Sequence, residues 1–146
     1  MAAIEFDKTV QKTNLWLKEI MEDEGWEDRQ KAYTILRAVL HALRDRLVVD
    51  EAVHLGSQLP MLLRGMYYEG WDPSTKPLKI RNKGKFLSLI TQGYGRAQID
   101  VDPEEAFREV VGVVARNISE GELDDVRHSL PASIQELWPE KPTPKH

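Results

Sequence analysis

The feature of this chain that most constrains its fold is an apolar pattern that occurs twice at a constant spacing. Leu59-Pro60 in the first half is matched by Leu130-Pro131 in the second, and we call the distance from Leu59 to Leu130 the repeat interval. The residues with an apolar partner at the repeat interval are Leu36, Val39, Leu40, Leu43, Leu47, Ala52, Leu55, Leu59, Leu63 and Met66, and their partners are Phe107, Val110, Val111, Val114, Ile118, Leu123, Val126, Leu130, Ile134 and Leu137. An interval kept over about thirty residues predicts two copies of one supersecondary unit.

The spacing of apolar residues is helical nearly everywhere, and no stretch shows the alternation of a half-buried strand. The segment 32–47 carries the clearest amphipathic pattern. Before it, a first apolar stripe ends at Gly25 and consists of Phe6, Val10, Leu17 and Met21. We therefore predict an all-α fold of about eight helices, arranged as two related four-helix repeats packed into one domain.

Local signals mark where several of these helices begin. The segment Asp102-Pro103-Glu104-Glu105 combines an N-cap residue with a proline in the first turn. Ser119 and Glu122 are spaced as in a capping box. Pro60 and Pro131 suit the first turn of the last helix in each copy, because the missing N–H of proline costs nothing there.

These signals also give domain boundaries. We expect residues 1–139 to form a single all-helical domain, since one copy alone would bury little surface. Repeat one covers about 6–71 and repeat two about 84–139, joined by a basic loop, 72–83, that contains two prolines. The proline-rich tail, 140–146, is predicted to be flexible.

Composition excludes several classes of protein. The chain has 146 residues, of which 41% are hydrophobic and 30% charged, as in globular proteins. It contains no cysteine, which excludes disulfides, thiolate nucleophiles and cysteine metal sites. No apolar run reaches the roughly 18 residues of a membrane span, and the first residues lack the pattern of a leader peptide. We expect a cytoplasmic protein without membrane contact.

Two segments of the first copy resemble a known family. They are LRAVLHALRDRL at 36–47 and QLPMLLRGMYYEGW at 58–71, supported by KTNLWL at 12–17, EGW at 24–26 and Leu130-Pro131. Together they are similar to the bacterial family called domain of unknown function 2267. The resemblance implies an all-helical protein with tandem related halves, and it brings no established activity and no catalytic residues. Val48 stands where relatives often have proline, which leaves the start of the third helix in doubt.

A basic segment lies between the two copies. From Pro73 to Ile99 there are six Lys or Arg residues and no Asp or Glu, so the rest of the chain carries a net charge of −10. Within it, Lys79, Arg81, Lys83 and Lys85 are candidate contacts for an anionic ligand or nucleic acid. The nearby aromatics Phe86 and Tyr94 would then stack on bases. The alternative is a solvated linker whose charges offset the acidic body.

Aromatic side chains crowd the end of the fourth helix. Tyr67, Tyr68 and Trp71 are candidate contacts for a protein partner or for a second copy of the chain. Alternatively, Trp71 folds back over its helix after the glycine that ends it, as Trp26 would after Gly25.

The residues offer no catalytic, cofactor or metal signature. The four histidines are not spaced as zinc ligands, and we interpret them as solvated. The carboxylates near 19–28 and at Asp124-Asp125 are expected on polar faces and helix ends. Arg37 and Arg108 are separated by the repeat interval, and each is expected to bond a carbonyl or carboxylate at a helix end.

Three functional hypotheses follow. The first is an uncharacterised protein-interaction or scaffold module without catalysis, acting on a protein partner or as a homo-oligomer. The second is a binder of an anionic ligand or nucleic acid through the segment 76–85; the acidic overall balance argues against tight duplex binding. The third is an enzyme that uses buried carboxylates or arginines in the cleft between the copies.

Overall fold

The computed structural model describes residues 3–140, and every regular element in that range is helical. The elements are α1 (Ile4–Glu24), α2 (Arg29–Arg46), α3 (Val49–Ser57), α4 (Met61–Tyr68), a short 3-10 turn (Pro73–Thr75), α5 (Lys83–Gly93), α6 (Pro103–Asn117), α7 (Glu120–His128) and α8 (Ala132–Gln135). The predicted all-α class and helix number are confirmed. None of the described helices is both long and apolar enough for a membrane crossing. The predicted tail lies outside the described residues, except for Glu140.

The helix boundaries follow from the local chemistry of their ends. Gly25 ends α1 in the left-handed conformation (φ 71°), which glycine adopts without a steric penalty. The Asp102 carboxylate accepts a hydrogen bond from the backbone N–H of Glu105 at the start of α6. At α7 only half of the predicted capping box forms. The Ser119 hydroxyl accepts from the Glu122 N–H, but the Ser119 N–H donates to Gln58 Oε1 at 3.3 Å.

The start of the third helix is settled by the backbone of Val48. This residue has φ −58° and ψ 148°, and α3 begins at the next residue. Pro60 and Pro131, which precede α4 and α8, have nearly the same angles, with φ −56° and −57° and ψ 149°. Val48 therefore adopts a proline-like conformation at a helix start.

All of the apolar positions that match at the repeat interval lie in the hydrophobic core or pack against it. The matched helices also meet: α2 contacts α6, and α3 contacts α7. In addition, α2 contacts α5 and α1 contacts α6. A twofold axis between the halves predicts both contacts together, because it exchanges α1 with α5 and α2 with α6. These contacts support the proposed duplication of a four-helix unit and its packing as one domain.

The basic loop is fixed to the end of α2. The Leu78 N–H donates to the Asp45 carbonyl at 2.8 Å, and Arg46 Nε donates to the Ile80 carbonyl. The loop ends at Asn82, whose side chain accepts from the Lys85 N–H and begins α5. Lys83 and Lys85 therefore belong to the first turn of a helix.

Candidate functional site

Tyr67 is a core residue and not a surface contact. Its side chain is fully buried, and its hydroxyl donates to the Ala52 carbonyl at 2.7 Å. Burial also raises its pKa. The prediction that Tyr67 contacts a partner is wrong for a physical reason: it faces α3, and no part of it reaches the protein surface.

Tyr68 and Trp71 are half-buried and stack on each other, with ring centroids 5.4 Å apart. The Tyr68 hydroxyl lies 3.4 Å from the Val53 carbonyl and covers Gly56. Trp71 folds back after α4, and its backbone N–H donates to the Tyr68 carbonyl at 3.0 Å. Trp26 likewise packs against the core after Gly25. These contacts agree with the capping interpretation and leave part of the Tyr68–Trp71 pair exposed.

The basic candidates point away from the core. Lys79, Arg81, Lys83 and Lys85 are all exposed. Lys83 Nζ lies 3.4 Å from Glu136 Oε2, so Lys83 forms an exposed ion pair with the residue that follows α8. The expectation that the neighbouring aromatics stack on bases is wrong. Phe86 is fully buried, and the Tyr94 hydroxyl donates to the Val101 carbonyl. Neither ring is available for stacking on bases.

The two repeat-equivalent arginines bond helix ends as expected. Arg37 NH2 lies 2.9 Å from Glu69 Oε1, just beyond α4. Arg108 Nε donates to the Leu137 carbonyl at 3.4 Å, and its NH2 group lies 3.0 Å from Glu104 Oε2. Both arginines therefore have structural partners.

An apolar groove between α1 and α4 was not predicted. Its exposed apolar side chains are Phe6 (54% exposed), Val10 (45%), Met61 (45%) and Leu62 (48%). The groove has a volume of about 500 Å³, and its lining residues are Phe6, Thr9, Val10, Met61, Leu62, Gly65, Met66 and Glu69. The predicted stripe of α1 is thus covered only in its second half, where Leu17 is buried.

A hydrogen bond fixes the width of this groove. Thr9 is buried on α1, and its hydroxyl accepts from the backbone N–H of Leu62 at 2.8 Å. That N–H lies in the first turn of α4 and has no partner within its own helix. The bond therefore ties the two walls together below the exposed side chains.

A cluster of possible metal ligands lies where α3 meets α7. Glu51, His54 and Glu122 each place one ligand atom within 4.8 Å of the other two. Glu51 Oε2 and Glu122 Oε2 are both buried and accept no hydrogen bond from the described residues. Burial raises the pKa of Glu122, and the neighbouring Glu51 and Asp125 raise it further.

Sequence reasoning missed this cluster, although two signals were present. Glu51 and His54 are spaced i, i+3 on one helix face, and Glu51 and Glu122 are separated by the repeat interval like the apolar pairs. The expectation that the histidines are solvated is wrong for His41, which is partly buried with Nε2 2.8 Å from the Met66 carbonyl. His128 is exposed, and its Nδ1 lies 2.8 Å from the Asp124 carbonyl. His146 lies outside the described residues.

A second carboxylate cluster joins the end of α1 to α6. Arg116 donates to Glu19 Oε1 at 2.9 Å and to Asp23 Oδ2 at 2.6 Å, and Asn117 donates to Glu19 Oε2 at 2.9 Å. Glu19 is therefore buried and paired, and the expectation that all carboxylates near 19–28 lie on polar faces is wrong for it. Burial and the adjacent Asp23 raise the pKa of Glu109. Such a carboxyl group is what the enzyme hypothesis requires.

Comparison with known proteins identifies the family but no activity. No curated protein matches the chain. The model of one family, described as an uncharacterized conserved protein (DUF2267), matches residues 13–137. This range covers all eight α-helices except the beginning of α1. The chain therefore belongs to the DUF2267 family of uncharacterized conserved proteins.

Proposed function

We propose that this protein is a non-catalytic interaction module that binds an apolar helical segment of a partner protein in the groove between α1 and α4. The observation that carries this proposal is the exposure of Phe6, Val10, Met61 and Leu62 along one groove. Contiguous exposed apolar surface on a folded protein is typical of an interaction site.

The shape and chemistry of the groove favour a helix as the occupant. Both walls are helices, whose backbone groups bond within the helix, so an extended peptide gains no strand edge to pair with. An amphipathic helix instead buries its apolar face between such walls. Met61 and Met66 add unbranched side chains that adapt to different partners.

The charges around the groove favour a partner with basic residues. Within the groove lining, Glu69 is already paired with Arg37, so the carboxylates that a partner would meet lie at the start of α1. Glu5 and Asp7 flank Phe6 in the first turn of α1. Lysine or arginine residues at the edges of the partner's apolar face would complement these carboxylates and speed association.

The proposal is tested with two amphipathic helical peptides of equal length, one of leucine and lysine and the other of leucine and glutamate. Fluorescence anisotropy of the labelled peptides measures binding to the full chain. The lysine peptide is expected to bind, and Val10→Asp should weaken it at least about tenfold, because it places a charge in the apolar groove. Leu15→Asp is the matched control, since Leu15 is a half-exposed residue of α1 (56%) outside the groove.

Two results of the peptide assay would overturn the proposal. One is equal loss of binding in Val10→Asp and Leu15→Asp, and the other is absence of binding by both peptides. A protein that forms dimers through this groove would also contradict it, and light scattering at several concentrations detects that case. A sequence without cysteine has no disulfide, which fits a reducing compartment and supports a cytoplasmic site for the interaction.

A second candidate function is the binding of an anionic ligand by the basic segment. Lys79, Arg81 and Lys85 make no ion pair within the described part of the chain. Burial lowers the pKa of Arg46, and the like charge of the nearby Arg81 lowers it further. Two neighbouring guanidinium groups without a carboxylate between them favour an anion.

Salt-titrated binding of random single-stranded RNA and of duplex DNA tests this second candidate. Affinity that falls steeply with salt, and that is lost when Lys79, Arg81 and Lys85 are replaced by alanine, would support it. Absence of binding at low salt would exclude nucleic acid as the ligand.

A further inference from the structure

We infer that Glu51, His54 and Glu122 form a binding site for a divalent transition-metal cation of the zinc class, at the contact between α3 and α7. This site lies on different helices from the α1–α4 groove and does not depend on the proposed function. Its three ligand atoms already lie within 4.8 Å of one another. Zinc binds carboxylate oxygen and imidazole nitrogen at about 2.0–2.2 Å, so ligands of one ion are separated by up to about 4 Å. Small side-chain rotations are enough to close the site.

The helices hold these side chains in place. Glu51 and His54 are one turn apart on the same face of α3. Glu122 is the third residue of α7, as Glu51 is of α3. A glutamate at this position usually turns back to bond the N–H of the N-cap residue. At α7 that N–H, of Ser119, is bonded instead to Gln58, so the Glu122 carboxylate faces α3.

The second observation is that one oxygen of each carboxylate is buried without a hydrogen-bond donor. Glu51 Oε2 and Glu122 Oε2 are each shielded from solvent, and no described residue donates a hydrogen bond to either atom. Two adjacent carboxylate oxygens that are both shielded from water are unfavourable, because a shielded negative charge requires a donor or a partner of opposite charge. A divalent cation between them satisfies both oxygens. A proton held between the two groups is the competing occupant, and zinc must displace it.

The donor set indicates the type of ion. One imidazole with two carboxylates suits zinc and similar transition metals, whereas magnesium and calcium prefer oxygen ligands alone. Three protein ligands leave a fourth position for water, and His54, one of the three, is exposed to solvent. Asp125 contributes a further negative charge near Glu122.

Isothermal titration of the metal-stripped full chain with zinc chloride tests the inference. We expect one zinc ion per chain and an increase in the thermal unfolding temperature when zinc is added. Glu122→Gln and His54→Gln should each weaken zinc binding at least about tenfold. His54 is exposed, so its replacement does not threaten folding, and circular dichroism verifies the fold of each variant.

Two matched controls separate this site from adventitious zinc binding. Glu120→Gln removes an exposed carboxylate from the first turn of α7, and His128→Gln removes an exposed imidazole from its end. Both should leave zinc affinity unchanged. The inference is overturned if the wild-type chain binds no zinc, if the controls lose as much affinity as the site variants, or if magnesium binds as tightly as zinc.

Discussion

Gly93 of α5 lies directly against Ala38 of α2. A methyl group built on Gly93 would be 2.9 Å from Ala38 Cβ and 3.1 Å from Ala38 Cα. Contacts this close with a short side chain and with backbone cannot be relieved by rotation. This close approach joins a helix of the second half to the central helix of the first.

We expect Gly93→Ala to destabilise the protein by about 1 kcal/mol. Overpacking costs about 1–3 kcal/mol, and the better helix propensity of alanine returns part of that. Gly112→Ala in α6 is the control, because its new methyl group would meet no atom within 4 Å. It should stabilise the protein by about 0.4–1 kcal/mol. Urea denaturation measures both, and a stabilised Gly93→Ala variant would contradict the close contact.

Val48→Pro should stabilise the protein by about 0.4–1 kcal/mol. The native φ of −58° is already that of proline, and the preceding Leu47 is extended with ψ 149°, as proline requires. Among the described residues, the Val48 N–H donates no backbone hydrogen bond that proline would remove. Thermal unfolding monitored by circular dichroism measures the change. A lower unfolding temperature would show that α3 does not begin at Val49.

Glu109→Gln should change how stability depends on pH. Burial and Asp23 raise the pKa of Glu109 from 4.5 to about 9, so the folded state holds this proton more tightly than the unfolded state. The contribution of this proton to the free energy of unfolding is fully present below pH 4.5 and is lost as the pH rises toward 9. Glutamine has no proton to lose, so the free energy of unfolding of the variant does not fall in this way. Relative to wild type, it should therefore increase between pH 4.5 and about pH 9.

Denaturation at several pH values measures this difference. Glu27→Gln is the control for net charge, because Glu27 is exposed in the loop after α1. An advantage of Glu109→Gln that stays constant with pH, or that declines as the pH rises, would contradict the burial of the Glu109 carboxyl group between α1 and α6.

The sequence was sufficient for the helices because their ends are decided within one turn. Gly25, Asp102 and Ser119 act on backbone groups three or four residues away, and the structure places helix ends at each. The all-α class followed from the same local information. Even so, the Ser119 capping box formed only in part, because Gln58 from the other half bonds the Ser119 N–H.

The candidate sites depended on contacts between distant segments, which the sequence pattern does not contain. Tyr67 and Tyr68 are neighbours, but packing against α3 buries one ring and leaves the other half exposed. The stripe of α1 continues to Phe6 although nothing in the described part of the chain covers it there, because α4 leaves an open groove beside it. Glu51 and Glu122 are also separated by the repeat interval, but the interval alone does not show that two carboxylates from distant helices face each other.

The most direct test of the proposed interaction is to map the leucine–lysine peptide on the protein by two-dimensional NMR. The account predicts that amide signals of Thr9, Leu62 and Gly65 shift on addition of the peptide, and that Val10→Asp abolishes these shifts. Shifts confined to Tyr68 and Trp71, or to the basic segment 76–85, would place the interaction on another face and contradict the groove.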